Sequence, residues 1–300
     1  MRILLCAIAK CENHYLREWV EWHKSLGFDN ICLYDNNDPD GERFEEVIGD
    51  YIQSGYVIVK DRRGMKGHIN WHSEKEPDWP NGYRSIQTEC YNDCYHAVAN
   101  DYEWMMLLDI DEFLQFEEPI HDIHEFVNDS TYDYYQYVHM SVVLFDDNGL
   151  IRSNGDYSLQ SRFTHIAEDD SLSHLCKPII RTRMHQAVIN SAHGFAWDGI
   201  FQDSNNKFIY GCTTIGRRFI QGGFILQEYN FKKAWIKHFM FKTLEEYIDN
   251  KQKRGWPDSF GDTIFLNIDY FFKCNKVTQD KLDYLKERGI DYTPKKEISE

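Results

Sequence analysis

The chain has 300 residues, 42% of them hydrophobic and 15% aromatic, which excludes general disorder and low-complexity classes. Its 33 Lys and Arg stand against 49 Asp and Glu, a formal charge of −16, so no broad basic surface for nucleic acid is expected. At this length about three quarters of the unfolded surface can be buried, in one large domain or two small ones.

The chain opens with Ile3–Ala9, a continuous apolar run that predicts a buried parallel strand. Leu16, Trp19, Val20, His23 and Leu26 follow at helical spacing, stopped by Gly27. Asn30–Tyr34 reads as a second strand, Phe44, Val47, Ile48 and Tyr51 as a second helix, and Tyr56–Val59 as a third strand. Arg62–Gly82 is polar and glycine-containing, a long loop. Ile86, Cys90, Cys94, Ala97 and Val98 mark a further helix before a fourth buried strand, Trp104–Leu108. Strands alternating with helices imply an α/β class with a mainly parallel sheet. Beyond Asp111 the pattern becomes irregular. Strands are expected in Tyr132–Phe145, Ser158–Phe163, Ile179–Arg181 and Ile220–Leu226. Thr243-Leu244-Glu245-Glu246 is a capping-box pattern opening a helix to about Arg254, and Thr278–Arg288 is a last helix.

No apolar run approaches the roughly 18 residues of a membrane span, and the first residues lack a signal-peptide pattern. The expected location is therefore cytoplasmic. Eight cysteines without a CxxC read as reduced, mostly buried thiols, with Cys90 and Cys94 the close pair. Charge is uneven: Asp101–Ile151 holds no Lys or Arg, whereas Lys232–Arg254 is rich in both. These are two solvated faces, or else an acidic edge for a cation and a basic segment for phosphate or lipid head groups.

The most informative run is Trp104–Leu114, in which a buried strand ends in Asp109-Ile110-Asp111-Glu112. In an open parallel sheet, ligands bind beyond the carboxyl ends of the strands. Crowded carboxylates there need a compensating cation, and hard oxygen ligands favour Mg²⁺ or Mn²⁺. On an extended chain Asp109 and Asp111 would point the same way, with Ile110 in the core. Read alone, this Asp-x-Asp is equally a solvated strand end with a helix N-cap. The other strand ends also deliver polar groups: Lys10-Cys11-Glu12, Asp35-Asn36-Asn37 and Asp61-Arg62-Arg63. Turn chemistry explains the Asp and Asn. Lys10, Arg62 and Arg63 beside carboxylates suit a nucleoside diphosphate bridged by a divalent ion.

Lys10-Cys11-Glu12, then Glu18-Trp19-Val20-Glu21-Trp22-His23, resembles the opening of glycosyltransferase family 92 and the related family-2-like bacterial glycosyltransferases. Tyr34-Asp35-Asn36, Gln87-x-x-x-Tyr91-x-x-Cys94, Leu108–Leu114, Lys177-Pro178-Ile179 and His193-Gly194 match in order. His238–Thr243, Glu245, Glu246, Tyr247, Lys251 and Arg254 resemble the closing block. Cys11 stands where asparagine is usual.

The resemblance implies a GT-A fold spanning 1–300 as one domain, with a nucleotide-sugar-binding half (1–115) and an acceptor-binding half with C-terminal helices (116–300). It implies a UDP-sugar donor, galactose or glucose first, a Mn²⁺ or Mg²⁺ ion, and a glycan or lipid-linked acceptor, while the basic segment Lys232–Arg254 suggests peripheral contact with anionic lipid. Donor contacts would come from Lys10, Glu12, Asp35, Arg62, Gln87, Asp109 and Lys242. Asp109, Asp111 and His238 would hold the metal, although residue chemistry alone makes His238 an interior histidine. An inverting transfer also needs a carboxylate base. Asp198 is the first choice, with Glu168 and Asp258 as rivals, and His193 and Trp197 would border the acceptor. Asp198 before Gly199 is also an ordinary turn. A non-catalytic carbohydrate- or nucleotide-binding module, or an Asp-x-Asp phosphohydrolase, are the competing readings.

Overall fold

The computed structural model describes residues 1–65, 85–98, 100–168, 176–182, 189, 201–202, 208–209, 211–213, 231–254 and 267–295. The first strand, β1 (Ile3–Ala9), is buried along its whole length. Alternation sends Ile3, Leu5 and Ala7 into one core cluster and Leu4, Cys6 and Ile8 into another, so helices cover both faces of the sheet. Helix α1 (Asn13–Ser25) buries Leu16, Trp19, Val20 and His23 on the first face and ends before Gly27, whose φ of 87° suits glycine. Strand β2 (Asn30–Asp35), α2 (Glu45–Gln53) and β3 (Val57–Asp61) complete two crossover units of parallel strands, and α3 (Ile86–Val98) covers the second face.

Strand β4 (Trp104–Leu107) stops before the acidic run, and a turn leads into β5 (Glu112–Phe116). Helix α4 (Ile123–Val127) and β6 (Tyr137–Leu144) follow. Next come α5 (Leu159–Arg162), β7 (Cys176–Arg181), the short β8 (Phe201–Gln202), β9 (Phe208–Ile209) and β10 (Gly211–Thr213), and β11 (Ala234–His238). The main sheet runs β3-β2-β1-β4-β7-β6-β11-β5, with β10 also on β6. Its first four strands are parallel, as expected, and β7 and β5 run antiparallel to their neighbours. One sheet thus joins the two halves of the chain.

The expected strand at Ser158–Phe163 is instead helix α5. Glu18 of α1 explains the change. Its carboxylate accepts from the Ser158 hydroxyl and from the Leu159 and Gln160 N–H groups, satisfying the first turn of a helix. The expected strand at Ile220–Leu226 lies outside the described residues. The capping box forms at Thr243 and Glu246, opening α6 (Leu244–Glu246), which continues as a π-helical turn over Tyr247–Gln252. Helices α7 (Ile268–Cys274) and α8 (Gln279–Glu287) pack with α6 in a third cluster around Phe241, Tyr247 and Phe271. The described cysteines are free thiols. Cys94 meets Cys6 and Cys32, not Cys90: the three sulfurs lie within 4.8 Å of one another, across β1, β2 and α3. No helix among the described residues is long and apolar enough to cross a membrane.

Candidate active site

The carboxyl ends of β1, β2, β3 and β4 share one edge, and the acidic run lies there. Asp109 and Asp111 do not sit on an extended strand. They flank Ile110 in a tight turn, where the Glu112 N–H donates to the Asp109 carbonyl at 3.1 Å. Ile110 enters the core as expected. The turn separates the two aspartates into different contacts. Asp109 accepts from the Gln87 amide at 2.7 Å and from the Lys177 ammonium at 2.8 Å. Asp111 accepts at Oδ2 from Lys242 at 3.0 Å and Lys251 at 3.2 Å, while its Oδ1 lies 3.4 Å from His238 Nε2.

Three lysines therefore oppose three carboxylates. Lys177 is wholly buried and also reaches Glu112 at 3.0 Å. Burial would raise the Asp109 and Asp111 carboxyls. Lys177 outweighs it at Asp109, and Lys242 and Lys251 outweigh it at Asp111, so both stay below the usual carboxylate range. Glu112 goes the other way: burial dominates and raises it, despite Lys177. Burial would likewise lower the Lys177 ammonium, but Asp109 and Glu112 more than offset it.

Strand β5 is placed by the aromatic motif of α1. Trp19 Nε1 donates to the Glu112 carbonyl at 2.9 Å and Trp22 Nε1 to the Leu114 carbonyl at 2.8 Å. The Leu114 N–H faces His23 Nε2 at 3.4 Å. Burial drives His23 down to about 3, so it is a neutral acceptor. These side chains cover an edge strand that would otherwise expose its backbone. On its other side β5 pairs with β11 in a register that sets His238 opposite Glu112. His238 Nδ1 lies 3.7 Å from Glu112 Oε1, and both atoms are buried without a hydrogen-bond partner.

Beyond β11, Lys242 holds a left-handed φ of 58°, rare for a side-chain-bearing residue. Cys11, on the facing rim, has φ 56° and donates its N–H to Asn37 Oδ1 at 2.8 Å. The π turn delivers Lys251, and Arg254 then reaches the Lys10 carbonyl at 2.9 Å and the Glu12 carboxylate. A small cleft is lined by Glu12, Tyr15, Lys242, Lys251 and Arg254. Three cations of the basic segment thus turn inward to the carboxylates.

The sequence-derived residues divide accordingly. Gln87, Asp109, Asp111, His238 and Lys242 gather around the acidic turn, and Glu12 lines the small cleft beside Lys242 and Lys251. Lys10 is half-buried and pairs with Asp38 at 2.8 Å. Asp35 is closed by Arg63 at 2.8 Å and by the Asn37 amide at 2.9 Å, a local network at the end of β2. Arg62 turns to Asp93 of α3 at 3.1 Å rather than to the aspartates. Glu168 is exposed and pairs with Lys276 at 3.5 Å. Asp198, Asp258, His193 and Trp197 lie outside the described residues. Lys177, Lys251, Arg254 and Glu112 received no role from sequence reasoning. The charge count at the strand end is the signal for the three cations, since crowded acids demand cations from elsewhere in the chain, and for Glu112 the signal is its place in the acidic run.

Fold and cluster together define an α/β protein with an acid-and-lysine crevice at its strand ends. Residues 7–193 match glycosyltransferase family 92, and the chain belongs to that family. A family 92 protein of Oryza sativa subsp. japonica is 28% identical over 112 residues, 37% of this chain and 16% of the relative. One of Arabidopsis thaliana is 24% identical over 114 residues, 38% of this chain and 16% of the relative. The matched stretch thus spans about a sixth of each relative's length. Among solved structures, S. aureus TarS in complex with UDP-GlcNAc aligns at a TM-score of 0.37 and 11% identity, covering 61% of this chain and 46% of that one.

Proposed function

We propose that the chain is a metal-dependent glycosyltransferase of GT-A type, moving a sugar from a nucleoside diphosphate donor to a glycan or lipid-linked saccharide. Family membership supports the class. The observation that carries the metal reading is the pair His238 Nε2 and Asp111 Oδ1, 3.4 Å apart and buried at the strand ends of the mixed sheet. One nitrogen and one carboxylate oxygen at that spacing fit two ligands of a single Mn²⁺ or Mg²⁺ ion; Asp109, held by Gln87 and Lys177 across the turn, does not complete a three-ligand group with them. When bound, such an ion supplies positive charge to the departing diphosphate.

The chain's own groups do the rest. Lys242, Lys251 and Arg254 rest on carboxylates, and as the donor enters they supply ammonium and guanidinium groups to its phosphate oxygens. Gln87 and Lys177 hold Asp109 in one orientation. The dense fixed charges stabilise the leaving group without reorganising at the moment of reaction. Asp198 remains the candidate base for the acceptor hydroxyl, followed by Asp258 and Glu168. UDP-galactose and UDP-glucose are the first donors to test.

The test is nucleoside diphosphate release from a panel of nucleotide sugars, with and without Mn²⁺, for the parent and Asp111→Ala. The parent should turn over one donor with metal, and the variant should not. Parent-rate turnover by Asp111→Ala, or turnover indifferent to chelator, would overturn the metal assignment. Saturable donor binding without any release would favour a binding module.

A further inference from the structure

The cross-strand register of β5 and β11 places His238 directly opposite Glu112, and side chains opposed in that way share one face of the sheet. The two oxygens of Glu112 have different duties. Oε2 accepts from the Asp109 N–H at 2.9 Å and from Lys177 at 3.0 Å. Oε1 has no such partner and faces His238 Nδ1 at 3.7 Å, the other orphaned atom. Glu112 and His238 are buried, so water does not readily satisfy either atom. On its far side the same imidazole turns Nε2 toward Asp111. A carboxylate at one ring nitrogen and a metal-facing direction at the other is the arrangement that fixes a ligating histidine's tautomer and orientation.

We infer that Glu112 is a positioning residue. Its Oε1 faces the Nδ1–H of the neutral imidazole as acceptor and so fixes that tautomer, which leaves the Nε2 lone pair directed toward the ion beside Asp111, while its second oxygen anchors the Asp109 backbone. One side chain thereby sets both the imidazole and the first aspartate of the acidic turn. This assignment rests on the metal reading above, and it makes the third acid of the run an orienting group rather than a ligand.

The test is Mn²⁺ affinity of the whole chain, measured by Mn²⁺ electron paramagnetic resonance in the presence of UDP. Glu112→Gln keeps volume and an amide oxygen for both Lys177 and the Asp109 N–H, so only the atom facing His238 changes, and thermal unfolding checks that it is folded. Glu112→Gln should weaken Mn²⁺ about tenfold or more, and His238→Gln at least as much. The double variant should match His238→Gln alone, because Glu112 acts through the ring. With Mg²⁺ and UDP bound, the ¹⁵N shifts of His238 should show a protonated Nδ1 in the parent and an altered pattern in Glu112→Gln. If Glu112→Gln binds Mn²⁺ as the parent does, or weakens it equally in the His238→Gln background, Glu112 does not position His238. If the parent binds no Mn²⁺, the metal reading fails first and this assignment falls with it.

Discussion

Glu246 and Glu112 are both buried carboxylates opposed by a buried cation, yet only one has every oxygen engaged. Arg162 grips Glu246 through two bonds of 2.8 and 2.9 Å. The Tyr15 hydroxyl donates to Glu246 at 2.8 Å and the Thr243 N–H at 3.1 Å. That network ties α1, α5 and α6 together and is complete. Around Glu112 and Asp111, charges balance but bonds do not: Glu112 Oε1 and His238 Nδ1 are unmatched, and Asp111 carries two lysines on one oxygen. A buried polar group without a partner costs stability, so retaining two of them argues for use rather than for scaffolding. The difference separates a cluster that holds shape from one with bonds still to make.

Substitutions in the two clusters should therefore fail in different assays. Arg162→Met leaves the Glu246 charge buried without its cation, and should cost about 3–5 kcal/mol in urea unfolding. Loss of less than about 1 kcal/mol would show that the pair is dispensable to the fold. Asp111→Ala should lower diphosphate release by about 10²–10³-fold, the size expected when an electrostatic contact to a leaving group is lost. Its unfolding midpoint should move far less than that of Arg162→Met; an equal shift would erase the contrast. Lys251→Met should weaken UDP binding about tenfold, in line with one charge-assisted hydrogen bond. Calorimetry at two salt concentrations would check it, and unchanged affinity would remove Lys251 from the donor site.

The smallest effect belongs to the surface. Arg288 holds the Asp249 carboxyl down at about 2 through bonds of 2.6 and 3.0 Å. A folded-state value below the unfolded one stabilises above roughly pH 4, and that contribution is lost as pH falls through about 2. Solvent screens the pair, so Asp249→Asn should cost under about 1 kcal/mol at pH 7, with the gap to the parent closing in acid.

Much of this was readable from local patterns. The run Ile3–Ala9, the aromatic stripe of α1 and the Thr243–Glu246 capping box need no distant partner to be understood. The Asp-x-Asp marked the crevice, but its turn did not show, because Ile110 is buried in either geometry. Arg62 illustrates the limit from the other side. Its place at the end of β3 was legible, whereas its direction depends on Asp93, a neighbour that only the packing of α3 supplies. Lys177 and Lys251 stood in the family-like blocks without a role for the same reason: one reaches the acids through antiparallel pairing of β7 with β4 and β6, the other through a π turn. Helix α5 was misread because the anion that caps it, Glu18, lies on another helix.

Lys242 and Lys251 meet Asp111 across 131 and 140 positions of chain, and Arg254 meets the Lys10 carbonyl across 244. Segments emerging first during synthesis fold before those that follow. Asp111 must therefore wait for its two ammonium partners until the segment beyond Lys251 has been synthesised. A product cut short before Lys242 would own the carboxylates of the turn and lack both ammonium groups that meet Asp111.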